Sequence, residues 1–214
     1  MAATLSSACH LAISMVRSAL LAVALAGGGA SPVLAQVRLP EEFVEQLTDG
    51  GLTFKESLFK GYVVVPVIEN RHMNYELALG SANPRTEVRY AIRRYDRSPK
   101  DAAVKPEMMA EPIYTTTLWN IAEWTMPPEK GGEPKIFASE AYPVESVRAE
   151  FHAAWGASAL LVPRKEFAAG FDRCLVSYIY KGRTSAFAFY MFNAKDTETA
   201  MNAFKPIYYA MQFR

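Results

Sequence analysis

Two cysteines, Cys9 and Cys174, are all this chain has for disulfide or thiol chemistry. Cys9 falls within a segment read below as an export leader, so Cys174 stands alone in the mature chain. No internal disulfide is then available, and an exported domain without one must rest on its hydrophobic core. Histidine is nearly as scarce, with three in all. No tight His/Cys cluster marks a metal centre, and none is expected. An excess of one charge is missing too: 23 Lys and Arg face 22 Asp and Glu. That balance gives no general reason to expect nucleic acid or an anionic membrane surface as partner. No P-loop, G-x-S-x-G elbow, H-E-x-x-H or paired C-x-x-C occurs, so no cofactor is expected. Internal repeats and low-complexity runs are absent as well.

What is present begins with the amino terminus. Arg17 is the only Lys, Arg, Asp or Glu in residues 1–35 and precedes the apolar run Ser18–Ala26. Gly27-Gly28-Gly29, Pro32 and then Val33-Leu34-Ala35 follow. A positive start, a short apolar core and small residues at −3 and −1 are what signal peptidase reads, predicting cleavage after Ala35. The run is shorter than the roughly 20 residues a membrane-spanning helix needs, and no later run approaches that length. The mature chain, residues 36–214, is therefore expected to be one soluble, exported domain, periplasmic or secreted. Met15 is an alternative start, because Met15-Val16-Arg17 with the apolar run makes a complete signal. Leu5-Ser6-Ser7-Ala8-Cys9 has the look of a lipoprotein box, but no apolar core precedes it.

The remaining sequence predicts an α+β fold. Pro40-Glu41-Glu42 opens a helix with Phe43, Val44 and Leu47 on one face, stopped by Asp49-Gly50-Gly51. Tyr62–Val65 reads as a strand that Pro66 places at an edge or an end. Met73, Tyr75, Leu77 and Leu79 alternate with polar or small residues, as do Val88, Tyr90 and Ile92. The two runs pair antiparallel in the expected register 79↔86, 77↔88, 75↔90, with Glu76 beside Arg89. Residues 98–111 read as a long loop, with a helix from Pro112 to Trp124. A turn-rich loop covers 127–132, and Pro143 starts a helix whose stripe continues to Trp155. Ala157–Val162, Cys174–Tyr180 and Ser185–Phe192 are apolar on both faces, which requires cover on both sides of a sheet. Lys181-Gly182-Arg183 fits a hairpin turn. Asp196 is placed to cap a last helix reaching Met211, which Pro206 should bend or interrupt.

Three kinds of chemistry deserve weighing. Cys174 with His152 as base and Asp172 as orienter has the residue types of a cysteine hydrolase. A lone cysteine inside an apolar strand, however, ordinarily behaves as a small buried hydrophobe. Glu69, His72 and Glu76 offer metal-ligating groups, but strand geometry scatters residues at those spacings. Trp119, Trp124 and Trp155 are candidates for an aromatic pocket in a small-ligand carrier, though core anchoring accounts for them as well. The site candidates preferred here are Arg85, Arg89 and Arg93, which share one side of a strand with Arg71, Arg94 and Arg97 close in sequence. Such a ridge presents forked guanidinium donors to an acidic partner or an anion; a plainly solvated face is the alternative.

The order of elements resembles the PsbP-like α/β/α sandwich family, the fold of the extrinsic photosystem II subunit and of a Ran-binding factor. The carrying stretches are Asn74–Leu79 paired with Glu87–Ile92, and the closing hairpin and helix from Cys174 to Phe213. The resemblance spans most of residues 38–214. It implies a mainly antiparallel sheet covered by helices on both faces, and a non-enzymatic module that binds a protein partner or assembly. No site residue carries over from it.

Overall fold

A computed structural model describes residues 37–95 and 105–214. Residues 1–35, where the sequence leads one to expect an export leader, and Arg97 lie outside the described residues. The core is a seven-stranded antiparallel sheet in the order β2-β3-β4-β8-β7-β6-β5. Its strands are β2 (Val63–Val64), β3 (Leu77–Ala82), β4 (Arg85–Arg94), β5 (Ile136–Ala141), β6 (Trp155–Leu161), β7 (Arg173–Lys181) and β8 (Thr184–Phe192). Two short strands, β1 (Leu52–Phe54) and β9 (Met211–Phe213), form a separate antiparallel ribbon.

The central hairpin shows why the sheet has two dry faces. On β8, Phe187, Phe189 and Met191 enter one cluster, while Ala186, Ala188, Tyr190 and Phe192 enter the other. Both clusters need cover. Helices α1 (Glu41–Asp49), α3 (Val144–Phe151) and α5 (Thr197–Phe204) join the ribbon over the tyrosine-bearing face. Helix α2 (Pro106–Ile121) and the single turn α4 (Lys165–Ala168) cover the phenylalanine-bearing face. The result is an α/β/α sandwich. Gly182, at φ +64°, begins the two-residue turn between β7 and β8, at the position a type II′ turn reserves for glycine.

Several hydroxyls on the tyrosine face find partners, although Tyr90 Oη is buried there without one. Tyr142 Oη lies 2.6 Å from Tyr208 Oη and 3.0 Å from Ser177 Oγ, and Tyr190 Oη donates to the Tyr208 carbonyl at 3.2 Å. These bonds tie the β5–α3 connection and the carboxyl-terminal segment to the sheet, and they remove the cost of leaving polar atoms unpaired in a core.

Several elements differ from the sequence expectation. The β3–β4 register is Leu77↔Tyr90 and Leu79↔Val88, two residues along from the expected pairing. The connection is only Asn83-Pro84, so the ladder runs further into the turn; side-chain parity, and hence facing, is unchanged. Helix α2 begins at Pro106, where a missing N–H costs nothing, and Pro112 sits inside it on an exposed side. Val44 faces solvent rather than the core. Helix α3 ends at His152, held at φ 53°, so Trp155 opens β6 instead of extending a helical stripe. Asp196 makes no side-chain cap; Thr197 Oγ1 donates to the Ala194 carbonyl at 2.7 Å. The last helix stops at Phe204, a 3-10 turn holds Pro206, and Met211 belongs to β9.

Candidate functional site

The three arginines share one side of β4, yet they do not form a solvated ridge. Arg89 is completely buried on the phenylalanine-bearing face. Its Nε lies 2.6 Å from Glu87 Oε1, and its Nη1 donates to the Phe167 carbonyl. The guanidinium carbon sits 4.8 Å from the Tyr75 ring centroid and 5.0 Å from that of Phe167, a cation–π sandwich. Arg93 lies 2.5 Å from Glu76 Oε1 and also donates to the Asn74 carbonyl. Glu76 therefore pairs with Arg93, and Arg89 with Glu87, in place of the expected Glu76–Arg89 pair. Arg85 is different. It is exposed, lies 4.9 Å over the Phe171 ring, and has no carboxylate at ion-pair distance among the described residues. Sequence could have flagged the inward pair: Glu87 and Arg89 are two apart, hence on one side of a strand. It could not show that α4 brings Phe167 across them.

Arg85 borders a trough of about 460 Å³ at the β2 corner of the sheet. Val63 and Val65 form one wall, Ala169 and Phe171 another, and Gly80, Ser81 and Ala82 lie between. Gly80 matters because a β-carbon there would lie 2.9 Å from Val65 Cγ1, so the Val65 side chain would have to shift. Beyond the trough the chain continues along the open edge with four exposed aliphatics: Val63 63%, Val67 46%, Ile68 44% and Val64 43% accessible. Val65 donates inward to the Ala78 carbonyl at 3.0 Å. The alternate residue Val64 therefore turns its own N–H and C=O to the open side. A second cleft, about 600 Å³, lies between Val67–Arg71 and Asn74-Tyr75.

The hydrolase constellation is dispersed. Cys174 is buried on the phenylalanine-bearing face, whereas α3, which ends at His152, packs on the opposite one. Burial pushes the thiol far above its ordinary range, outweighing the opposing pull of Arg89. Asp172 instead accepts a hydrogen bond from the Ala194 N–H at 2.7 Å. The aromatic-pocket residues are separated as well. Trp155 packs 5.8 Å from Tyr114 and 5.7 Å from Tyr178, while Trp119 is half exposed beside Trp124. A gap beneath Tyr90, Tyr190 and Tyr208 measures about 10 Å³, no more than one water's room.

His72 does not meet Glu76, which is engaged by Arg93; its Nε2 lies 4.0 Å from Glu166 Oε2. Desolvation first, then Arg164 and Arg71, hold its pKa below the ordinary value against the opposing pull of Glu166. Because the folded state resists protonating this ring, the unfolded chain takes up more protons below about pH 6.5. Stability contributed by His72 is thus full above that pH and is lost as pH falls toward the depressed folded value. Urea midpoints between pH 5 and 7 should show this slope, and His72→Gln should flatten it.

No family model and no curated protein matches the chain. Eight chains of solved structures do. Among them is the solution structure of cyanobacterial PsbP (CyanoP) from Synechocystis sp. PCC 6803, at 9% identity. It covers 77% of this chain and 94% of that one, with a TM-score of 0.38. At that level it transfers neither residue nor role, and the sandwich stands on the strand order and paired faces described above. Among the described residues no helix is long and apolar enough to cross a membrane.

Proposed function

We propose that this chain is an exported, non-catalytic module that docks a protein partner at the β2 edge of its sheet. The observation carrying this reading is the exposed aliphatic run of Val63 and Val64 on the two-residue edge strand β2, continued by Val67 and Ile68 in the irregular chain that follows it. Exposed edges recruit other chains unless they are blunted, and contiguous apolar surface marks interaction sites. Of the three candidate arginines, Arg85 serves that surface, while Arg89 and Arg93 hold the sheet that presents it.

A photo-crosslinking amino acid at position 64 tests the reading in the producing cell. A discrete protein adduct is expected, weakened when Val63 is replaced by Asp; a crosslinker at Glu140 on the opposite edge strand should give none. Absence of adducts from position 64, or equal adducts from both edges, would remove the docking reading. Export is tested separately. Intact mass of the mature protein should correspond to a chain beginning at Gln36, and retention of residues 1–35 would contradict the leader.

A further inference from the structure

We infer that the trough at the β2 corner selects an acidic, extended peptide segment: an aliphatic side chain settles over Gly80 and Ala82 while a neighbouring carboxylate pairs with Arg85. The inference rests on the docking reading above and names the chemistry of its partner. The trough's walls and floor are mostly apolar, from Val63, Val65, Ala82, Ala169 and Phe171 with Gly80, and Ser81 and Thr86 are its uncharged polar residues. Its charged groups are unequal. Glu87 also lines it, but that carboxylate is already neutralised by buried Arg89 at 2.6 Å. Arg85 carries the uncompensated charge, held over Phe171 with Gly170 leaving the room its guanidinium occupies; a β-carbon there would lie 3.2 Å from Nη2. An apolar slot with one free, pre-positioned fork complements a carboxylate-bearing aliphatic segment.

A second copy of this chain is the competing occupant, and its charges do not fit. From Ser57 to Ile68 there is no Asp or Glu, and Lys60 is the only charged residue. Pairing two β2 edges would bring Lys60 and Arg85 together with no carboxylate from either edge strand. An acidic segment from a different protein supplies what that pairing lacks.

The test uses the mature chain, ¹⁵N-labelled, titrated with acetyl-(Glu-Val)₃-amide and, separately, acetyl-(Lys-Val)₃-amide. The glutamate peptide should give saturable shifts confined to residues 63–65, 80–87 and 169–171. The lysine peptide should give none, and Arg85→Gln should weaken the glutamate peptide about tenfold or more, as loss of a charge-assisted contact does. A well-dispersed spectrum of the Arg85→Gln variant shows that it is folded. Equal response to both peptides, or no shifts in the trough, would overturn the inference. So would a concentration-dependent dimer, seen by ultracentrifugation without peptide and abolished by Val64→Asp. Adducts at position 64 without any peptide preference would defeat this inference alone and leave docking standing; loss of both results would defeat both.

Discussion

Arg89→Ala is expected to destabilise the fold by about 3–5 kcal/mol, the cost of breaking a buried ion pair by removing one partner. The guanidinium holds Glu87, the Phe167 carbonyl, and two aromatic rings at 4.8 and 5.0 Å. Its removal leaves the partly buried Glu87 carboxylate without its partner and unfastens α4, which carries Phe167 over the sheet. Urea denaturation measures this directly. A control separates charge from packing. Arg89→Met combined with Glu87→Gln removes both charges and keeps most of the volume, so it should recover most of the loss. A loss below about 1 kcal/mol for Arg89→Ala, the range of exposed pairs, would mean that the guanidinium is solvated after all. The same geometry bears on docking tests: a variant altering Arg89 would lose binding through unfolding, whereas Arg85, exposed on the same strand, reports on the surface.

The parts of the fold legible in sequence are those with sustained periodicity. The alternation of Phe187, Phe189 and Met191 with Ala186, Ala188, Tyr190 and Phe192 assigns each residue to its observed face. The β3–β4 pairing is legible in parity but not in register, because the connection expected over residues 80–85 is in fact Asn83-Pro84 alone. Strands too short to show a period escape: β1 and β9 have three residues each, and β5 interrupts its pattern with Ser139 and Glu140. Helix α2 is misplaced at its start because Pro106 and Pro112 both suit a first turn, and only packing against the sheet decides between them.

The candidate site was partly legible. Arginines four apart on a strand share a side, and β4 confirms that they do. What sequence could not convey is depth. The covering turn α4 lies nearly 80 residues downstream, with Phe167 meeting Arg89 across a separation of 78. Arg85, beyond the end of that cover, keeps its charge free. The edge was signalled by Pro66 after the valine run, but the exposure of Val67 and Ile68 depends on no described residue packing outside β2, which is a property of topology.

The docking proposal requires Cys174 to be sealed inside the sandwich rather than open to a substrate. Cys174 is fully buried between β7 and the phenylalanine-face helices, and burial holds the thiol protonated. Alkylation then requires opening of the core, so its rate follows the unfolding equilibrium. Iodoacetamide labelling of the native protein at pH 8 should be at least ~10³-fold slower than in guanidinium-unfolded chain, given ordinary domain stabilities. It should also accelerate in Arg89→Ala in proportion to the stability lost. Native labelling within minutes, with a rate that levels off below pH 8 as an imidazole-paired thiolate would give, would contradict the claim.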